Sequence, residues 1–452
     1  MNPVNWAESF PLAYFSKGGF EKAPDWFQLW KDMAVQGPAV FLESAGPLDE
    51  ASRWSILAGC PRAEVGGRGR KIENATPGLF PDGFPDVFDF INGIVPAGPV
   101  FKPLPFCLPE AWFGAFSYEF GQGSAASSPR PDFYFFKPGS IWALDRLNRE
   151  WFHWSDREGN SGNGLDKASE PFRIDKIRAR MTREQYLTLV QKAKSYIAQG
   201  DIYQANLAQP FEANWNGDPA NLYRLLREMN PGPFMGLFQA PGFTLVSSSP
   251  ERLVSGRGDQ LEARPIAGTR PRAPRPEDDL RLKSELRTHP KEQAEHLMLV
   301  DLMRNDLGRV ARYGTVEVTD YARVESYAKV HHLVSTVRAR TRRKTAFSDI
   351  FKSLFPGGTI TGCPKIRCMQ IIQELEGCPR NFYTGSMGYL APGPVFDLNI
   401  LIRTFTLWPE GRLEFFAGAG IVADSDPERE YLETLHKVEA LAQALGASLL
   451  TP

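Results

Sequence analysis

Residues 264–306 read RPIAGTRPRAPRPEDDLRLKSELRTHPKEQAEHLMLVDLMRND. The stretch opens as a strand that ends in a turn at Gly268, and prolines 271, 274 and 276 predict a basic loop after it. From Lys291 onward, apolar residues recur at helical spacing, which predicts a largely buried helix. Glu292 and Glu295 lie three residues apart at its start, so both carboxylates share one face. This face is a candidate metal site, and the turn before it is a candidate reaction site.

The composition is that of a folded globular protein without a dominant charge. The 452 residues are 42% hydrophobic, and 52 basic residues against 53 acidic ones give a net charge of −1. No overall field favours nucleic acid or an anionic membrane, so a small molecule or a protein is the expected ligand. We find no signal peptide pattern, no apolar run near the roughly 20 residues that span a bilayer, and no Cys-x-x-Cys pair among the five cysteines. These features predict a cytoplasmic protein with free thiols.

The chain divides at a polar segment rich in glycine and serine. Residues 1–165 combine short aromatic and aliphatic runs with glycine and proline, which predicts a sheet-rich N-terminal domain. Residues 156–172 read SDREGNSGNGLDKASEP and predict a linker. Residues 175–446 form the expected second domain. Near its start, Thr182 and Gln185 form a capping box, which predicts a helix that ends at Gly200.

The last predicted helix carries a second acidic pair. It follows the segment DSDP, and Glu430, Glu433 and Lys437 fall on one stripe of it at i, i+3 and i+7. One such stripe is typical of a salt-bridged surface. Two helices with the same glutamate spacing instead favour a Mg²⁺ site, because Mg²⁺ prefers carboxylate oxygens and retains several waters. His331 and His332 are adjacent on a predicted strand and point to opposite faces, so they do not form a zinc site.

Two further features indicate an anionic ligand. Arg403 lies in the apolar run DLNILIRTFTL, which predicts a strand, and a guanidinium there binds either a substrate carboxylate or an internal Asp or Glu. Gly418 and Gly420 let backbone N–H groups approach an anion. The segments GAGIVA (418–423) and GGTITGCPK (357–365) lack the context and spacing of nucleotide-binding motifs. The residues alone therefore predict a Mg²⁺ enzyme that acts on a small polycarboxylate, with His332 as a candidate acid or base.

These motifs resemble those of the chorismate-utilising enzymes, over most of the chain. The resemblance lies in RPIAGTRPR (264–272), KEQAEHLMLVDLMRNDLGR (291–309), HLVS (332–335), GGTITGCPK (357–365), IRT (402–404) and residues 418–437. It implies an α+β fold in which two antiparallel sheets form a large sandwich covered by helices. The active site is then expected between the sheets and the helices that cover them.

The resemblance also implies a role for each motif residue. Glu295 and Glu433 would hold Mg²⁺ on the ring carboxylate of the substrate, and Glu292 and Glu430 would reach the metal directly or through water. The residues expected to bind the substrate are Gln204, Gly268, Tyr383, Arg403, Gly418, Gly420 and Lys437. Those expected beside the reacting ring are Ala267, Thr269, His332 and Thr359.

Two positions bear on the reaction. Family members that add water typically have a lysine base at the position of Gln204, and glutamine cannot deprotonate water, so ammonia is the expected nucleophile. The segments YQANLAQ (203–209), SSSPER (247–252), LMRNDLGR (302–309) and FPGGTITGCPK (355–365) resemble the subclass that forms 4-amino-4-deoxychorismate, a folate precursor. Ala267 is instead the residue of the anthranilate-forming subclass, since most members of the first subclass have there a lysine that bonds to the ring. Alanine offers no nucleophile, so a route through non-covalent 2-amino-2-deoxyisochorismate is expected.

The resemblance implies two further partners. The chain lacks a glutaminase nucleophile motif, so ammonia is expected from a separate glutamine amidotransferase subunit. The segments FLESAG (41–46), RWS (53–55) and NPGPFM (230–235) resemble the family's tryptophan pocket, and its expected residues are Glu43, Ser44, Arg53, Asn230, Pro231 and Phe234. A non-catalytic ligand-binding subunit would keep the fold without turnover, but the intact set of four glutamates argues against that alternative.

Overall fold

Strands dominate the computed structural model of the protein, which describes residues 14–46, 48, 52–96, 102–122, 129–157, 170–446 and 449–450. The strands are β1 (Tyr14–Gly19), β2 (Ala39–Glu43), β3 (Trp54–Arg68), β4 (Lys71–Ala75), β5 (Trp112–Phe116), β6 (Phe133–Asp145), β7 (Glu150–Ser155), β8 (Arg173–Ile174), β9 (Ile177–Ala179), β10 (Gln204–Asn216), β11 (Phe234–Ala240), β12 (Phe243–Ser249), β13 (Arg252–Arg257), β14 (Gln260–Arg264), β15 (Ile266–Pro271), β16 (Glu317–Ser326), β17 (Val330–Arg340), β18 (Gly362–Cys363), β19 (Ser386–Ala391), β20 (Val395–Asn399), β21 (Thr404–Leu407), β22 (Arg412–Ile421) and β23 (Leu449–Leu450). The helices are α1 (Trp26–Val35), α2 (Val87–Ile94), α3 (Arg183–Ala198), α4 (Pro219–Met229), α5 (Pro276–Thr288), α6 (Pro290–Gly308), α7 (Phe347–Leu354), α8 (Lys365–Glu376) and α9 (Pro427–Ala444).

Two runs of antiparallel strands share the long strands β3 and β6. One run pairs in the order β1-β7-β6-β3-β2-β11-β12-β21-β22-β10. The other run begins at the opposite end of β6, where β5 pairs with it, and continues by pairing through β19, β20, β13, β14 and β17. The predicted α+β fold, a large antiparallel sheet with helices, is confirmed.

Apolar side chains fill the space between the two runs and the space beneath the helices. Successive residues of a strand point to opposite faces, and in β11 Leu237 packs under helices α1 and α4 while Phe238 faces the other run. Helices α2, α6 and α7 cover the second run in the same way. Each fully buried Phe or Leu contributes roughly 1.5 to 3 kcal/mol, so these layers hold the strands that carry the site.

The predicted domain boundary stays a prediction. Strand β7 ends at Ser155, and residues 158–169 of the predicted linker lie outside the described residues, as do residues 1–13, where no signal peptide was expected. Strands from both predicted domains pair directly, since β2 pairs with β11 and β5 with β19. None of the described helices has the length and apolar character needed to cross a membrane.

Two local predictions need correction. The proline-rich loop is shorter than expected, because α5 begins at Pro276, a position in the first helical turn that tolerates proline. The strand predicted over residues 397–407 is interrupted between β20 and β21. In the gap, the N–H of Ile400 donates to the carbonyl of Glu251 at 3.0 Å and that of Leu401 to Gly385 at 2.9 Å, instead of continuing the ladder. The capping box of Thr182 at the start of α3 is confirmed.

Candidate active site

Strands β15 and β17 bring the turn and the histidine of the sequence motifs together. Thr269 pairs with His332 in the register, and the Thr269 Oγ1 lies 3.0 Å from His332 Nδ1. The same nitrogen lies 3.3 Å from the carbonyl oxygen of Gly268, which can only accept a hydrogen bond. Burial lowers the pKa of His332 to about 4, and the positive charge of Arg403 adds to this effect. The imidazole is thus neutral at neutral pH, which favours a base over an acid among the two roles expected for it.

Gly268 allows the turn to approach helix α6. Its φ is +60°, in the left-handed region, and a Cβ there would lie 2.6 Å from Glu292 Oε2. Ala267, one residue earlier, is buried and pairs with Leu333. The turn therefore lies directly beside one of the predicted metal ligands.

A second group of predicted residues meets where β10 and β22 pair. A Cβ on Gly420 would lie 2.4 Å from Gln204 Nε2, and one on Gly418 would lie 3.0 Å from the Tyr383 hydroxyl. Lys437 Nζ donates to the Gly418 carbonyl oxygen at 2.8 Å. The two glycines thus leave space beside an amide and a phenol, and an ammonium group contacts the backbone of one of them; donors of these types suit a carboxylate ligand.

We expect Gly418→Ala to disturb this group, because the added Cβ would lie 2.8 Å from the Leu207 carbonyl oxygen as well as 3.0 Å from the Tyr383 hydroxyl. The Asn206 Oδ1 would lie 2.8 Å away as well, and because the backbone carbonyl cannot move far, the side chains of Tyr383 and Asn206 would have to shift. The variant should raise the Kd for chorismate by about tenfold, in line with the loss of one or two hydrogen bonds to a charged group. Isothermal titration calorimetry measures it. Gly308→Ala is the control, since a Cβ there meets nothing within 4 Å, and equal affinities in the two variants would contradict the assignment.

Arg403 lies between β20 and β21 rather than inside a strand, with a φ of +52°. Its Nη1 donates to Asn230 Oδ1 at 3.3 Å, and burial alone lowers its pKa. Among the described residues, no Asp or Glu forms an ion pair with it, which removes the internal partner that the sequence left open. A partly buried guanidinium without a carboxylate partner is costly unless a ligand supplies one.

Arg403→Lys is accordingly expected to raise KM for chorismate about 10- to 100-fold, because an ammonium group cannot replace a bidentate guanidinium–carboxylate contact. Steady-state kinetics with varied chorismate measure the change. An unchanged KM would show that the substrate carboxylate binds elsewhere.

The predicted metal ligands of helices α6 and α9 lie near enough to affect one another electrostatically. Burial raises the pKa of Glu295, Lys291 lowers it, and the carboxylates of Glu292, Glu433 and Glu430 raise it further. In the part of the chain that the structure describes, however, no three acidic, histidine or cysteine side chains converge closely enough to hold a metal ion.

Neighbouring cations explain why these carboxylates do not converge. Arg270 Nη1 lies 3.0 Å from Glu292 Oε1, and Lys437 Nζ lies 2.7 Å from Glu433 Oε1. Carboxylates repel one another and pair with the nearest cations. The donors are hard oxygens that suit Mg²⁺, and their mutual repulsion is what a divalent cation would relieve. The set therefore fits the metal, and the assignment of its ligands stays a prediction.

One acidic residue of the site is absent from the sequence predictions. Glu251 is 4% exposed, and its Oε1 and the Oγ1 of Thr359 are both buried without a regular hydrogen bond among the described residues. Burial raises the pKa of Glu251 to about 8, although the Thr359 hydroxyl and the backbone of Ile266 lower it. Its carboxyl group is thus protonated at neutral pH and lies between two segments of the predicted site. The sequence shows only a glutamate at the end of SSSPE, and this pattern is equally typical of an exposed turn.

The predicted tryptophan residues are only partly together. A cavity of about 80 Å³ is lined by residues that include Glu43, Ser44 and Phe234, but not Arg53, Asn230 or Pro231. Arg53 instead pairs with Asp145 at 2.6 Å, and the side chain of Asn230 points to Arg403. Binding of tryptophan stays a prediction.

The glutamate of this cavity already has partners. Glu43 Oε1 accepts from the Tyr223 hydroxyl at 2.8 Å and lies 2.8 Å from Arg227 Nε. An amino acid ligand would have to compete with both groups for this carboxylate.

Comparison with known proteins agrees with the geometry of the main site. Residues 91–443 match the family described as chorismate binding enzymes. The chain belongs to this family. It is therefore a chorismate-utilising enzyme, which confirms the resemblance seen in the motifs.

Relatives with different names have similar sequence identities to this chain. The chain is 39% identical over 437 residues to an anthranilate synthase component I-like protein of Synechocystis sp., covering 91% of this chain and 87% of that one. It is 45% identical over 271 residues to aminodeoxychorismate synthase component 1 of Bacillus subtilis, covering 60% of this chain and 57% of the relative. The solved structure of anthranilate synthase component I from Streptococcus pneumoniae superposes with a TM-score of 0.72 at 29% identity, covering 87% of this chain and 93% of that chain. These names leave the subclass open.

Proposed function

We propose that the protein is component I of an aminodeoxychorismate synthase, which converts chorismate and ammonia to 4-amino-4-deoxychorismate. The observation that carries the proposal is the Gln204 amide beside Gly420, on the strand whose Gly418 lies beside Tyr383 and accepts from Lys437. An amide cannot take a proton from water, whereas ammonia needs no such base. Amination is therefore favoured over hydration.

Substrate binding follows from the charges around this space. Arg403 and the Tyr383 hydroxyl would hold the enolpyruvyl carboxylate, and Lys437 with the backbone of Gly418 and Gly420 would hold the ring carboxylate. Mg²⁺ would be held by Glu295 and Glu433, with Glu292 and Glu430 assisting. When bound, it would offset the negative charge of the ring carboxylate.

Glu251 is the proposed acid of the reaction. Ammonia forms a bond to C2 of the ring, the ring double bonds shift, and the C4–O bond breaks. The departing hydroxyl takes the proton of the Glu251 carboxyl group and leaves as water, and the extra proton on the new amine restores that carboxyl group. In the second step another ammonia bonds to C4 and the ring double bonds shift back as the C2–N bond breaks. The extra proton of the new C4 amine is transferred to the C2 amine, which leaves as ammonia. Each cycle thus consumes one ammonia and releases one water.

Ala267 requires this non-covalent route, because its methyl group offers no nucleophile to the ring. The same residue favours a second candidate, anthranilate synthase component I, in which the C2-aminated intermediate loses pyruvate instead. We place the aminodeoxychorismate reaction first because four segments (203–209, 247–252, 302–309 and 355–365) resemble that subclass. A separate glutamine amidotransferase is the proposed source of ammonia, in keeping with the component names of the relatives.

A coupled assay tests the proposed product. The protein is incubated with chorismate, Mg²⁺ and ammonium, with and without a lyase that converts aminodeoxychorismate to p-aminobenzoate. We expect p-aminobenzoate only when the lyase is present. Fluorescent anthranilate without the lyase would establish the second candidate, and chorismate left unconsumed would support a non-catalytic subunit.

A further inference from the structure

Beneath the site lies a buried arginine whose donors are all in use. Arg380 is 1% exposed, and its Nε and Nη2 donate to the two carboxylate oxygens of Glu376 at 2.8 and 2.6 Å. Its Nη1 donates to the Ile360 carbonyl oxygen at 3.0 Å and to Thr384 Oγ1 at 3.2 Å, and its Nη2 also donates to the Asn206 carbonyl oxygen at 2.7 Å. A guanidinium has five N–H groups, so none is left for a ligand.

Each of the three uncharged acceptors belongs to a segment that carries a residue of the site. Ile360 follows Thr359, and Thr384 follows Tyr383. Asn206 lies in β10 two residues after Gln204. The guanidinium also lies 5.6 Å from the centroid of the Tyr383 ring, so it contacts this residue directly. One side chain therefore joins three segments that are far apart in sequence.

The carboxylate partner and the backbone of Arg380 extend this connection. Glu376 Oε1 accepts from the N–H of Ala208 at 2.8 Å, which fixes β10 at a second point. The N–H of Arg380 donates to Glu119 Oε1 at 2.8 Å, which ties the N-terminal part of the chain to the same place. A buried ion pair is rarely worth more to stability than apolar residues of the same size. Stability alone is therefore a weak reason for such a network.

We propose that Arg380 is a positioning residue for the chorismate reaction: it sets the positions of Tyr383, of the Thr359 segment and of β10 relative to one another without touching the substrate. Lysine cannot replace it, because an ammonium group has three donors and lacks the planar geometry that reaches five acceptors. The inference rests on the proposed function in one respect: its test measures the amination of chorismate.

Arg380→Lys is the test. We expect kcat for chorismate amination to fall about 10- to 100-fold, since a misplacement of about 1 Å costs that much. KM should change less, because Arg403 and Lys437, the charged groups proposed to hold the carboxylates, do not contact Arg380, and only the uncharged Tyr383 of that set does. The fraction of 2-amino-2-deoxyisochorismate released before the final product should rise, and chromatography of the reaction mixture measures it. Loss of stability lowers the amount of active enzyme but does not change this fraction.

Arg62→Lys is the matched control. Arg62 is half-buried in the N-terminal part of the chain, and it donates to the carbonyl oxygens of Pro138 at 2.9 Å and of Pro109 at 3.2 Å. The control should keep the wild-type kcat and intermediate fraction, whatever its melting temperature. If Arg380→Lys does not fold, Glu376→Gln, which removes one charged acceptor, should show the same rise in released intermediate.

The outcomes separate the two proposals. A wild-type enzyme that forms no 4-amino-4-deoxychorismate contradicts the proposed function. A wild-type enzyme that is active, with Arg380→Lys or Glu376→Gln matching Arg62→Lys in kcat and in released intermediate, overturns the positioning role of Arg380.

Discussion

Replacing Glu251 by glutamine is expected to lower kcat for chorismate amination about 100- to 10,000-fold, the range that general acid catalysis contributes. The amide keeps the shape of the protonated carboxyl group but cannot supply its proton to the departing hydroxyl. For the wild-type enzyme, the pKa of about 8 means that kcat should fall as the pH rises above that value. Steady-state kinetics across this pH range measure both effects. Glu414→Gln, which alters another buried carboxyl group, is the control and should leave kcat unchanged.

The same substitution has an expected effect on stability, and its sign follows from the raised pKa. Below the ordinary value of 4.5 both folded and unfolded states hold the proton, so the carboxyl group makes no pH-dependent contribution. Between 4.5 and about 8 the unfolded chain has released it and the folded protein has not. The free energy of unfolding therefore falls with rising pH in this window, by about 1.4 kcal/mol per unit at most. Glu251→Gln should remove this loss in urea unfolding at several pH values, and an equal slope in both proteins would contradict the buried, protonated carboxyl group.

Glu295→Ala and Glu433→Ala are each expected to lower kcat/KM at least about 100-fold, because a bound metal supplies several kcal/mol of charge stabilisation and each 1.4 kcal/mol is a factor of ten. Both variants should also bind Mg²⁺ more weakly in calorimetry without substrate, a result independent of turnover. The control is Glu439→Ala, an exposed acid on the same helix α9. Full activity in either variant would show that the proposed metal ligands are wrong.

The acidic pairs illustrate what the sequence could predict. The spacing of Glu292 and Glu295 determines that they share a helix face, and the same holds for Glu430 and Glu433. Periodicity cannot show whether the two faces meet, since that depends on the order of strands such as β15, β17 and β22 in the sheet. The resemblance of the motifs implies that they meet, and the shared metal site stays a prediction. Nor could spacing show that Arg270 and Lys437 draw two of these acids apart.

Other residues escaped prediction because distant parts of the chain determine their surroundings. Arg403 was placed in a strand on the apolar pattern around it, but the carbonyl groups of Glu251 and Gly385 take the N–H groups that would continue the ladder. Glu251 owes its raised pKa to burial, which outweighs the lowering by the Thr359 hydroxyl and the backbone of Ile266. Arg380 depends on acceptors in four separate segments. Such contacts leave no periodic trace in the sequence.

The central claim is that ammonia replaces the C4 hydroxyl of chorismate while the enolpyruvyl group is kept. Nuclear magnetic resonance of the product formed from chorismate, Mg²⁺ and isotopically labelled ammonium tests it most directly. We predict labelled nitrogen bonded to C4 of a non-aromatic ring that still carries the enolpyruvyl ether. Labelled nitrogen on an aromatic ring next to the carboxylate, together with free pyruvate, would contradict the account.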